Sequence, residues 1–279
     1  NLVGKSKRSI ERDIKNIRSE LLGLKSNKSN YNKLDALTSK WELIIKKHPE
    51  IEVSGFFLSL DNKSYASIKS SKKLAAASSI KVPILIVLLT MLDADDINWN
   101  EKLVLTEDII GGGAGWMAYQ KIGQEFSMFE VASEMIRVSD NTATNLLIKR
   151  IGGLNLINKR FKEIGLKNTQ LKNYLPDLDG TNVTSTKDLT IAMASVDTGF
   201  LLSSRSRDIF REIMSKSKTN SLIPAGILRG LGKQGDNIDY KLLLNGYIVY
   251  NKTGDIGISY ADTGLIQTPS NSRAYASFI

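Results

Sequence analysis

The sequence predicts an α/β fold of the α+β type: an antiparallel five-stranded sheet flanked by helices, joined to an all-helical lobe. Three observations carry this. Strand-like alternation is confined to the two ends of the chain, helical periodicity fills residues 78–216, and 42% of the 279 residues are apolar. That is enough for one large core or two lobes sharing an interface. The expected partition is a helical and linker segment at 1–30, a discontinuous α/β lobe at 31–77 and 220–279, and a helical lobe at 78–219.

Taken in order, Val3, Ile10, Ile14, Ile17, Leu21 and Leu24 form one apolar helix stripe. It spans too few heptads for a coiled coil and predicts a stalk or packing helix. The polar stretch 26–32 marks a linker. Leu34, Leu37, Trp41, Ile44 and Ile45 predict a second helix; Lys46, Lys47 and His48 complement its dipole and Pro49 stops it. Weak alternation over 51–60, a turn at Asp61-Asn62 and renewed alternation over 64–68 predict a hairpin. The apolar run 82–92 contains Pro83 and falls short of the roughly 18 residues that cross a bilayer, so it predicts a buried helix. Glycine-rich 111–115 and the stretch 176–182 interrupt the helical region. Strand-like runs at 247–253, 260–267 and 273–279 complete the sheet.

Composition removes several chemistries. There is no cysteine and one histidine, His48, which excludes thiol catalysis and zinc sites built from Cys and His. His48 lies in a Lys-Lys-His-Pro sequence at a helix end, so a serine enzyme here needs a base other than imidazole. Neither metal nor cofactor is expected. The net charge is +9, of which +6 falls in residues 1–50; such a segment suits an anionic surface and points to envelope association. Nucleic acid is not an expected partner, because no zinc finger, RNA-recognition motif or basic stripe with interleaved aromatics is present. The lack of cysteine fits an exported protein, and a sequence beginning with Asn raises the expectation of an upstream signal or anchor.

Ser78-Ser79-Ile80-Lys81 directly precedes the apolar run, so Ser78 and Lys81 are expected on one face at the start of a buried helix. A serine hydroxyl becomes a nucleophile when a neighbouring base takes its proton, and a desolvated lysine can be that base. Ser-x-x-Lys also occurs at Ser70 to Lys73 and Ser215 to Lys218, but only the Ser78 copy leads into an apolar helix. Ser139-Asp140-Asn141 stands before another helix, and Lys252-Thr253-Gly254 ends a strand-like run. Singly, each has a bland alternative: a helix cap, a capping cluster, a strand ending in a turn. The glycine run lacks a following Gly-Lys-Ser/Thr and is no phosphate loop; Trp116 and Tyr119 beside it line a pocket mouth or belong to the core.

In this order the three motifs are those of class A β-lactamases and penicillin-binding proteins. The chain resembles the penicillin-recognising serine hydrolases, most closely the class A β-lactamase-like branch, over roughly residues 31–279. Segments 138–145, 223–226 and 260–264 resemble it too. The resemblance implies a β-lactamase/transpeptidase-like fold and an acyl-enzyme mechanism in the bacterial periplasm or envelope. By it, Ser78 attacks a lactam or peptide carbonyl, Lys81 is base or proton relay, and Ser139 passes a proton toward the leaving nitrogen. Asn141 holds the substrate's side-chain amide and Lys81; Lys252 and Thr253, with Gly254, bind the substrate carboxylate. The backbone N–H groups of Ser78 and Asp255 form the oxyanion hole. The implied partner is a small-molecule β-lactam or a cell-wall peptide. The implied function is β-lactam hydrolysis, with a D-Ala-D-Ala peptidase or transpeptidase, or a non-catalytic peptidoglycan-binding module, as alternatives.

Three departures qualify this. Class A enzymes hydrolyse the acyl-enzyme with a glutamate-activated water, and counting from Gly165 puts Leu175 at the glutamate's position. The nearest carboxylates, Asp177 and Asp179, are the candidates for deacylation, although an Asp-Gly turn explains them equally. The strand after Lys-Thr-Gly lacks an arginine that often assists carboxylate binding. The family usually ends in a helix packed on the sheet, whereas this sequence stops in a strand at Ile279, so the expectation is a truncated chain or a face covered otherwise.

Overall fold

The computed structural model describes residues 31–279; the apolar stripe predicted at 3–24 lies outside them. A six-stranded sheet, order β1-β3-β2-β10-β9-β8, is assembled from both ends of that span. Its strands are β1 (Asn32–Lys33), β2 (Gly55–Ser59), β3 (Ser64–Ile68), β8 (Ile248–Asp255), β9 (Tyr260–Gln267) and β10 (Arg273–Phe278). The five predicted strands form its antiparallel body. The sixth, β1, corrects the count: Asn32 and Lys33 pair in parallel with Ser64 and Tyr65 at the edge. Two residues in a polar stretch carry no periodicity to read. Short pairs join β4 (Leu74–Ala75) to β7 (Val183–Thr184) and β5 (Lys102–Val104) to β6 (Glu125–Ser127).

The helices are α1 (Asp35–Ile45), α2 (Lys81–Asp93), α3 (Met128–Arg137), α4 (Asn141–Ile151), α5 (Gly153–Glu163), α6 (Thr186–Asp197), α7 (Ser204–Ser215), α8 (Ile223–Gly230) and α9 (Ile238–Leu244). Helix α2 is apolar on every side and correspondingly buried on every side from Lys81 to Leu89. Pro83 sits in its first turn, where no intrahelical N–H is lost. Local signals set the other starts. Ser127 accepts from the Glu130 N–H at 3.2 Å ahead of α3, Asp140 from Ala143 at 2.9 Å ahead of α4, and Ser185 from Asp188 at 3.1 Å ahead of α6. Gly152, at φ 111°, ends α4 in the left-handed conformation that costs a residue without Cβ least.

The inner face of the sheet packs on α6, which contacts β2, β9 and β10. Hydroxyls tie the layers: Thr190 Oγ1 donates to Ser277 Oγ at 2.8 Å, and Ser277 Oγ lies 2.7 Å from Thr263 Oγ1. One apolar core runs from Phe56 and Leu58 through α2 to Phe126, Met135 and Leu147. The outer face carries a smaller cluster, Ile223, Ile266, Ala274 and Ala276. There Trp41 of α1 meets Phe278 edge-on at 5.3 Å. Between α1 and α8 this face keeps an open groove of about 1170 Å³ lined by Leu37, Trp41, Phe57, Ile227 and Ile266. Among the described residues, no helix is long and apolar enough to cross a membrane.

Candidate active site

Ser78 occupies a 3₁₀ turn, Ala77–Ile80, that leads directly into α2. The nucleophile candidate therefore sits one step before the α-helix and not inside its first turn, while Lys81 is the first helical residue. Lys81 is fully buried, as expected of a side chain that starts an all-apolar helix. Its Nζ lies 3.0 Å from Ser78 Oγ, 2.6 Å from the Ser139 carbonyl oxygen, 3.0 Å from Ser139 Oγ and 2.9 Å from Asn141 Oδ1. Burial, then the nearby Lys252 charge, hold its pKa well below the ordinary lysine value; Asp140 opposes them. A neutral amine has two N–H bonds and one lone pair. In that form the carbonyl oxygens of Ser139 and Asn141 take the two N–H groups, which leaves the single lone pair for one hydroxyl, that of Ser78 or that of Ser139.

Ser139 is held where a non-glycine residue is strained, at φ 61°, and Ala77 beside the nucleophile has φ 45°. Each costs about 1–3 kcal/mol, and such strain persists only where surrounding contacts fix it. At Ser139 the fixing group is the adjoining Asp140, fully buried. Its Oδ1 accepts from Ala143, and its Oδ2 accepts from the N–H groups of Trp116 at 2.7 Å and Met117 at 2.9 Å. Asn141 joins the same wall: its N–H donates to Ala114 O at 3.1 Å and its Nδ2 to Gly112 O at 2.8 Å. The glycine run is thus a wall docked on the Ser-Asp-Asn turn. Gly115, at φ 88°, is required there, because a Cβ would stand 2.1 Å from Asp140 Oδ2. Of the aromatics, Trp116 is half-buried in this wall and Tyr119 is exposed.

The third motif approaches the cluster from β8. Lys252 is fully buried, donates to Thr253 O at 2.6 Å, and has its pKa pushed down by burial to about 8, with Asp262 opposing. Burial pushes the Asp262 carboxyl up to about 6 against the N–H of Ile223 and the amide of Asn251. Gly254 faces the nucleophile's backbone: a Cβ there would lie 2.5 Å from Ser78 N and 2.9 Å from Ser79 N. Only glycine allows β8 this approach. The next residue, Asp255, pairs with Tyr260 and accepts from the Gly257 N–H at 2.8 Å.

Asp177 and Asp179 stand apart from this cluster. Asp177 closes its own loop, accepting from Asn182 N–H at 2.6 Å and from Thr181 Oγ1 at 2.7 Å. Burial raises its pKa, these donors outweigh that, and the net shift is downward. A carboxylate so committed is a weak base. Asp179 is exposed, and among the described residues no hydrogen bond joins either carboxylate to Ser78 or Lys81. Leu175 is 5% exposed, with its N–H donating to Asn145 Oδ1 at 2.9 Å and its carbonyl accepting from Asn145 Nδ2 at 2.7 Å. Asn145 lies one turn along α4 from Asn141, so the leucine is fastened beside the Lys81 cluster. The other Ser-x-x-Lys copies are structural: Ser70 Oγ lies 2.8 Å from Ser67 Oγ, and Ser215 donates to Glu212 O at 2.7 Å. His48 is exposed beside Glu50. Among the described residues no His, Asp or Glu cluster suited to a metal occurs.

Sequence reading did not single out Asp140, Asn145 or Glu134. The first two lay within quoted motifs, and their roles arise from contacts with loops far along the chain.

A six-stranded sheet built from both ends of the described span with helices between them, and a buried lysine between two serines and an asparagine, define the constellation of the penicillin-recognising serine hydrolases. The chain belongs to the β-lactamase enzyme family, whose sequence profile matches residues 36–279. A β-lactamase of Bacillus licheniformis is 28% identical over 187 residues, covering 63% of this chain and 58% of that one. The chain thus spans about six-tenths of that relative's length. The solved structure of PBP-A is 35% identical, with a TM-score of 0.81 over 89% of this chain and 88% of that one. A variant of PBP-A, solved as an acyl-enzyme complex with penicillin G, gives 35% and 0.80 over 88% of each chain.

Proposed function

We propose that the protein is a serine hydrolase that attacks β-lactams through Ser78, forms an acyl-enzyme and hydrolyses it slowly. The observation that carries this is the buried Lys81 amine, 3.0 Å from Ser78 Oγ, with two carbonyl oxygens occupying its other directions. As Ser78 Oγ bonds to the lactam carbonyl carbon, its proton passes to Lys81 Nζ. The N–H groups of Ser78 and Asp255 receive the oxyanion, a role supported by the close approach of β8 at Gly254. Ser139 Oγ, 3.0 Å from Nζ, relays the proton to the lactam nitrogen as the C–N bond breaks. The ring opens and the amine stays attached to the acyl group. Lys252 and Thr253 hold the substrate carboxylate, and Asn141 its side-chain amide. Deacylation needs a base for water, and Leu175 supplies none.

Intact-protein mass spectrometry after mixing with excess benzylpenicillin tests this. One penicilloyl group should appear on the parent, decay slowly as drug is removed, and be absent from Ser78→Ala. If the parent takes no adduct, the reading is wrong.

Two further outcomes follow from the geometry. Gly254→Ala is expected to slow acylation by about 10²-fold in stopped-flow measurements, since the methyl displaces β8 from the Ser78 amide. Acylation at low substrate should also be bell-shaped in pH. It falls on the acid side as Lys81 gains a proton, and on the alkaline side as Lys252 loses its charge near pH 8. A flat alkaline limb up to about pH 9.5 would remove Lys252 as the carboxylate partner.

Leu175 favours a second reading, a D-Ala-D-Ala peptidase or transpeptidase acting on cell-wall peptides. Release of D-alanine from a model peptide, together with an adduct that never decays, would select it. Family membership supports an exported protein of the bacterial envelope, with the basic N-terminal segment as the attachment.

A further inference from the structure

One buried carboxylate near the site takes no part in the proposed chemistry. Glu134, on α3, is 8% exposed and accepts three short hydrogen bonds. The Trp116 indole Nε1 donates to Oε2 at 2.6 Å, and Arg137 donates through Nε to Oε1 at 2.6 Å and through Nη2 to Oε2 at 2.6 Å. Its backbone carbonyl accepts the N–H of Asp140 at 3.2 Å. Trp116 belongs to the wall that docks on Ser139-Asp140-Asn141. On the other side, the Arg137 carbonyl accepts the Lys218 N–H at 3.1 Å. The next residue, Thr219, accepts at its carbonyl from Asn251 Nδ2 at 2.8 Å, and Asn251 adjoins Lys252. Polar contacts and backbone therefore run unbroken from the wall of Trp116 to the strand that carries Lys252.

We infer that Glu134 is a positioning residue for acylation: through Trp116 and Arg137 it sets the spacing between the Ser139 turn and the strand of Lys252. This rests on the proposed acyl-enzyme reaction. The Glu134–Arg137 ion pair lies within α3 and by itself does not reach the wall. The indole bond is what makes the carboxylate matter, because it holds the wall whose Trp116 and Met117 amides fix Asp140, and Asp140 fixes Ser139 in its strained conformation. Displacing a proton-relay hydroxyl by about 1 Å costs on the order of 10²-fold in rate.

Trp116→Phe is the least disruptive probe. It keeps an aromatic ring where Trp116 meets Phe126 edge-on at 5.9 Å, and removes the indole N–H together with the five-membered ring that carries it. Glu134→Ala removes the whole tie, and Glu134→Gln keeps an acceptor for the indole while weakening the pair with Arg137. The readouts are the limiting acylation rate constant and the dissociation constant of the encounter complex with benzylpenicillin, beside Tm. The expected result for Trp116→Phe and Glu134→Ala is a limiting rate lowered about 10- to 100-fold with the dissociation constant changed less than about threefold. The double variant should be no worse than Glu134→Ala, and Glu134→Gln should stay within about threefold of the parent. An unchanged limiting rate in Trp116→Phe and Glu134→Ala, with only Tm lowered, overturns the inference and makes Glu134 a stabilising group. A parent that is never acylated overturns the reaction itself, and is distinguishable because it is seen before any variant is compared.

Discussion

Leu175→Glu is expected to shorten the lifetime of the acyl-enzyme by about 10²- to 10³-fold, within the roughly 10²- to 10⁴-fold that one positioned general base contributes. The backbone of Leu175 is fixed at both N–H and C=O by Asn145, so the new side chain starts from a defined point beside the Lys81 cluster. The site is 95% enclosed at this residue, and burial raises a carboxyl pKa toward the range where it can take a proton from water. Acylation should change little, because Lys81 and Ser78 keep their contacts. Decay of the penicilloyl adduct, followed by mass after drug removal, gives the lifetime directly. Leu175→Gln supplies the same shape without the base and should decay like the parent. Equal lifetimes in the Glu and Gln variants would show that absence of a base at this position is not what limits turnover.

Lys81→Arg is expected to slow acylation by about 10³- to 10⁴-fold. A guanidinium keeps positive charge and hydrogen-bond donors but has no lone pair to accept the Ser78 proton at accessible pH. The variant therefore separates electrostatic support from proton abstraction, which removal of the side chain would confound. Four oxygen atoms converge on Nζ, so the larger group also has to fit among them; far-ultraviolet circular dichroism and Tm establish that the fold is kept. Acylation within about tenfold of the parent would place the base elsewhere.

The candidate site was legible in the sequence to the extent that it was local. Ser78 and Lys81 are three residues apart, Ser139-Asp140-Asn141 and Lys252-Thr253-Gly254 are contiguous, and their flanking patterns named the helix and strand that carry them. The antiparallel body of the sheet was legible because β2, β3, β8, β9 and β10 alternate or end in turn residues. β1 was not, since a two-residue edge strand has no period. The 3₁₀ turn at Ser78 was equally hidden, because one-turn differences in helix type leave no trace in apolar spacing. Asp140, Asn145 and Glu134 act on partners 23 to 30 residues away or through a tryptophan 18 residues upstream, and pairing of that kind follows from the fold and not from any window of sequence. Leu175 was found by counting within the family resemblance; the structure adds the two hydrogen bonds that hold it in place.

The central claim is that this site has a complete acylating apparatus and no base for deacylation. Stopped-flow measurement with a chromogenic cephalosporin tests it most directly. The expected trace is a rapid burst of one equivalent per Ser78, absent in Ser78→Ala, followed by a much slower steady state. Linear turnover without a burst would show that deacylation keeps pace with acylation, and would contradict the claim that Leu175 leaves the site without a deacylating base.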